Sequence, residues 1–119
     1  MNGCNKAYND FFRATKGLRL YAIFKGDEIV GKICGHSSLT GKTYYMSVLI
    51  SLPQYHGGYS VRMTGSDKDF NQGLLECLTA LKGDLNKIGL FINEETIKTD
   101  FIHEFSRVGL KVWDICGGL

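Results

Sequence analysis

Apolar and polar positions along this chain change period several times, and each change marks an element. Residues 5–15 (NKAYNDFFRAT) set Tyr8, Phe11 and Phe12, with Ala7 and Thr15, at spacings of three and four. That stripe predicts an amphipathic helix, stopped at Gly17. From Leu18 the period falls to two. LRLYAIF (18–24) and EIVGKICG (28–35) alternate on either side of Lys25-Gly26-Asp27, which reads as a hairpin. Thr40-Gly41-Lys42 turns the chain into TYYMSVLIS (43–51), whose apolar residues fall on both faces, as in a strand central to its sheet. Pro53 has no N–H to give a ladder and ends that strand.

Residues 52–72 are the least regular. They hold Gly57-Gly58, a short alternation YSVRM (59–63) and the polar run TGSDKDFNQ. Ser66 and Asp69 have capping-box spacing, which predicts a helix start near Asp67. Leu74, Leu75, Leu78 and Leu81 then share one face, and Gly83 is the expected stop. Ile88–Ile92 reads as a buried strand. Ile97, Phe101, Phe105 and Val108 form the stripe of a further helix, ended by Gly109 before a closing strand at Leu110–Ile115. Hairpins followed by alternating helices and strands predict α+β. The expectation is one domain over residues 1–119, with a mixed, mostly antiparallel sheet that turns parallel near its end and is flanked by helices.

Composition narrows the function classes. The apolar and charged fractions, 44% and 22%, are those of a soluble domain with a core. A net charge of +2 gives no ground for a nucleic-acid or membrane-surface partner. No apolar run has the length of a membrane span, and the start MNGCNKAYND lacks the order of a signal peptide, so a cytoplasmic protein is expected. Cys4, Cys34, Cys77 and Cys116 form no C-x-x-C pair, so no metal site is expected. Cys34 and Cys77 lie in apolar contexts and read as core residues.

Four segments, KGDEIVGKICG, TYYMSVLISLPQYHGG, KIGLFINEE and FSRVGLKVWDI, resemble in that order the GNAT N-acetyltransferase superfamily, which transfers an acyl group from coenzyme A to an amine. The resemblance covers Leu18 to Ile115. It implies a GNAT-like (acyl-CoA N-acyltransferase-like) fold with acetyl-CoA lying between two splayed parallel strands. The backbone of Ile50, Ser51 and Leu52 would pair with the pantetheine amides. His56, Gly57 and Gly58 would open the pyrophosphate loop, where backbone N–H groups meet phosphate. Asn93 would face the pantetheine from the partner strand.

The motif is altered at two places. Tyr59 and Val61 stand where the family's loop carries small residues, and Phe105 stands four before Gly109, where many members place a tyrosine acid. His103 and Glu94 are the neighbours able to handle protons in its place. No catalytic residue is assigned. The expectation is a small GNAT-like protein with an eroded acyl-CoA site that binds a small molecule or a protein partner. A working acyl-CoA-dependent N-acetyltransferase is one alternative. A dimeric interaction module, its edge supplied by 59–63, is the other.

Overall fold

The computed structural model of the chain describes residues 18–65 and 69–115. The helix expected at 5–15, Cys4, Cys116 and Ser66 lie outside the described residues. Within them the order is β1 (Arg19–Lys25), β2 (Glu28–Ser37), β3 (Thr43–Leu52), β4 (Tyr55–Thr64), α1 (Phe70–Ala80), α2 (Lys82–Lys87), α3 (Glu94–Arg107) and β5 (Lys111–Asp114).

The first four strands form a meander, each paired with the next, and β5 returns to the far side of β1. The sheet order is β4-β3-β2-β1-β5. Its turns follow from the local sequence. Lys25 pairs with Glu28 across Gly26-Asp27, and Gly26 takes the positive φ that such a tight hairpin needs. Leu52 pairs with Tyr55 across Pro53-Gln54.

Strand periodicity sorts the side chains between two faces. Tyr21 and Ile23, Val30 and Ile33, and Tyr44, Met46, Val48, Ile50 and Leu52 point inward and are buried. Phe70, Leu74, Cys77 and Leu78 of α1 meet them, together with Ile97, Phe101 and Phe105 of α3. Each fully buried aliphatic or aromatic side chain contributes about 1.5–3 kcal/mol. Tyr21 packs edge-on against Phe101 at 5.6 Å between ring centroids, and Phe101 against Phe105 at 6.4 Å. Gly73 lets α1 approach β3 closely, since a Cβ there would lie 2.8 Å from Met46 Cβ.

The structure corrects four expectations. Every strand pair is antiparallel, so the sheet does not turn parallel. Residues 88–92 are not a strand. Leu90 and Ile92 are buried and Phe91 is exposed, as in a strand, yet the backbone bonds elsewhere. The Leu90 N–H donates to the Leu85 carbonyl, the Phe91 N–H donates to Glu104 Oε2 at 3.0 Å, and the Gly89 carbonyl accepts from Arg107 at 2.8 Å. Third, α1 begins at Phe70 with Asp69 as its N-cap, whose carboxylate accepts from the Gln72 N–H at 2.8 Å. Fourth, Gly83 does not end a helix; it lies inside α2, which follows α1 through Leu81.

Candidate functional site

β3 is an interior strand, and its neighbours decide what its backbone can do. Ile50 pairs with Gly31 of β2 on one side and with Gly57 of β4 on the other. Ser51 and Leu52 pair with His56 and Tyr55 of β4. The flank on which a pantetheine arm was expected is thus occupied by β4, and the Ile50 side chain is fully buried.

His56, Gly57 and Gly58 do not open a loop. They lie in β4, in ladder register with Ser51, Ile50 and Leu49. Their side-chain requirements are those of packing. A Cβ on Gly57 would fall 2.4 Å from the Tyr55 hydroxyl, so this glycine makes room for the tyrosine side chain. A Cβ on Gly58 would fall 2.7 Å from the Val48 carbonyl oxygen. His56 Nδ1 meets Ser51 Oγ at 2.9 Å. Asn93 is the N-cap of α3: its side-chain oxygen accepts from the Thr96 N–H at 2.8 Å and from the Thr96 hydroxyl at 3.0 Å. The residues read as one cofactor site are therefore divided between the β3–β4 ladder and a helix cap.

The groups considered for proton transfer are separately placed: Glu94 lines one depression, and His103 lines another of about 280 Å³ with Asn93, Thr96 and Asp100. Phe105 is fully buried in the core. Glu94 accepts from Lys98 Nζ at 2.8 Å, which holds its carboxyl below the usual range. His103 sits on the exposed side of α3, and its backbone N–H donates to Asp100 Oδ1 at 3.0 Å. That bond caps a second helical stretch, because Asp100 has non-helical backbone angles and kinks α3. A depression of about 390 Å³ lies between the N-terminal ends of α1 and α3, lined by Asp69, Gln72, Leu75, Glu94, Ile97 and Lys98. Asp69 and Glu94 already place carboxylates at those two positive helix ends, so the depression does not favour a further anion.

What the structure does expose is β4 itself. All ten of its residues pair with β3, from Thr43↔Thr64 to Leu52↔Tyr55. No other described strand pairs with β4, so among the described residues its second flank is unpaired. Arg62 is its one charged residue apart from histidine, and it has no proline. Tyr59 projects at mid-strand with 46% of its surface exposed. Beneath it the Cys77 thiol points to the carbonyls of Tyr59 and Met46, at 3.7 and 3.9 Å. Burial pushes that thiol up to about 11. The alternation at 59–63 was the sequence signal for this strand. The extension back to Tyr55 was hidden by Gly57-Gly58, a pair that strands disfavour.

No family model matches the chain, no curated protein matches it, and no solved structure matches it. What the chain does has to be read from its own surfaces, and the β4 edge is one that the sequence had already marked.

Proposed function

We propose that this chain is a partner-binding module that works by strand addition at β4, and that its partner is a second copy of itself. The observation that carries the reading is the unpaired flank of a ten-residue edge strand. Soluble proteins blunt such edges with prolines, inward charges, bulges or short strands, because unpaired N–H and C=O groups template pairing. β4 has no proline, bulge or inward charge along its register, and Arg62 is its one outward charge.

The charge pattern favours an antiparallel copy. In a two-fold pairing about Tyr59 or Ser60, the two Arg62 side chains stand four to six positions apart, about 14–20 Å. That exceeds the screening length of about 8 Å at physiological salt. A parallel pairing would set them side by side. Tyr59 then lies next to the two-fold axis, and tyrosine is a frequent anchor at such places.

Sedimentation across a concentration series tests this. The wild type should pass reversibly from 13.3 kDa towards twice that mass. Tyr59→Lys, which sets two like charges at the axis, should stay monomeric with an unchanged circular dichroism spectrum. Trp113→Glu, away from the edge, should dimerise as the wild type does. A wild type that remains monomeric at several hundred micromolar sinks the reading.

A further inference from the structure

The described helices cover one face of the sheet, and no described element covers the other. Lys32 of β2, Arg62 of β4 and Lys111 of β5 point out of it, alternating with the buried Ile33, Met63 and Val112. No described aspartate or glutamate shares that face. Asp69, Glu76, Asp84, Glu94, Glu95, Asp100 and Glu104 are all in the helical layer or its caps. Asp27 and Glu28 sit at the β1–β2 turn, and Asp114 pairs with the inward Tyr21. None of the three cations makes an ion pair with a described carboxylate. A net charge near zero thus conceals two layers of opposite sign.

Flat rings stand among these cations. Tyr45 is 38% exposed and Trp113 49%. His36 stacks on Tyr45 at 5.2 Å between centroids, and Lys111 Nζ lies 4.6 Å from the Trp113 ring centre. Trp113 shares a cross-sheet row with Ala22, Lys32 and Leu49, and Tyr45 lies four residues further along β3. Three strand spacings and four residues put the two rings about 20 Å apart on the diagonal.

We infer that this face binds single-stranded nucleic acid, its rings stacking on unpaired bases and its cations meeting the phosphates between them. A sheet face with three cations and no described carboxylate matches a polyanion, and exposed rings match one that presents free base faces. A duplex or an acidic peptide would use the cations and leave the rings idle; an anionic membrane, whose interface also takes tyrosine and tryptophan, is separated by the vesicle comparison below. The inference concerns a different surface from the β4 edge and stands without it.

The probe is a fluorescein-labelled twelve-residue oligothymidylate, titrated with the full chain at low salt. Binding should quench the fluorescence of Trp113, the chain's only tryptophan. The logarithm of the affinity should fall with the logarithm of salt with a slope of about −2, from three phosphate contacts at about 0.7 each. Lys32→Gln should make that slope shallower by somewhat under one. Tyr45→Ala should weaken binding roughly tenfold with the slope unchanged. Lys98→Gln, in the helical layer, should change neither. Equal affinity for a duplex of the same length, or binding without tryptophan quenching, would overturn the inference. So would no binding at low salt, or a preference for phosphatidylserine vesicles or polyglutamate over the oligonucleotide.

Discussion

Single glycines in this chain are best understood by what a methyl group would strike. Gly73 and Gly83 both lie within helices, where alanine is ordinarily the better residue by about 0.5–1 kcal/mol. At Gly83 a Cβ meets nothing within 4 Å, so Gly83→Ala should stabilise the protein by about that amount. At Gly73 it would press on Met46 Cβ, which cannot swing away, and overpacking costs about 1–3 kcal/mol. Gly73→Ala should therefore destabilise by about 1 kcal/mol, and urea midpoints of the two variants should move in opposite directions. The sequence reading took Gly83 as a helix stop and Gly57 as part of a phosphate loop, because a glycine in a sequence does not reveal which neighbour needs the space. The cysteines were legible in part: Cys77 is a core residue as expected, whereas Cys34 is half-buried on the sheet face away from the helices, the side to which β2 also turns Lys32. Burial raises both thiols above their ordinary range. In a Cys4→Ser, Cys116→Ser background, a thiol reagent at neutral pH should label Cys34 slowly and Cys77 only on unfolding.

Among the elements, the hairpin, the central strand and α3 were legible because each has a clear period or a turn of fixed chemistry. Segment 88–92 was not, because burial alternates there as in a strand while the backbone bonds go to the end of α2 and to side chains distant in sequence. Glu104 and Arg107 on α3 hold it: Glu104 accepts from the Phe91 N–H and from Arg107, and Arg107 reaches the Gly89 carbonyl. The hydrogen bond from Arg107, followed by that from the Phe91 backbone, keeps the Glu104 carboxyl below its ordinary value of 4.5. A carboxyl lowered in the folded state stabilises the protein above its unfolded value and ceases to do so as pH falls through the folded one. Glu104→Gln should thus be less stable than the wild type at neutral pH, and the gap should close as the pH drops below about 4.5. Urea titrations of both proteins across that range measure it. A gap that stays constant with pH would mean that the Glu104 charge contributes nothing to holding 88–92.

At the scale of the molecule, the sequence supported an α+β domain and the structure agrees, but strand neighbours were not legible. The choice between continuing the meander at β4 and opening a cleft beside β3 depends on where residues 53–58 send the chain. Pro53-Gln54 sends it straight back. Charge shows the same limit, since +2 is a sum and the fold decides where its terms go. The meander also sets an order of assembly. Four strands pair with sequence neighbours, whereas β5 joins β1 from the opposite end of the described chain. On the ribosome, β1 to β4 emerge before any of the three described helices. For that interval the apolar face headed by Ile33, Met46 and Ile50 has none of these helices to cover it, and both β1 and β4 present open flanks. A nascent chain of this design is most exposed to cohesion with its neighbours on a polysome at mid-synthesis, before the described helices emerge.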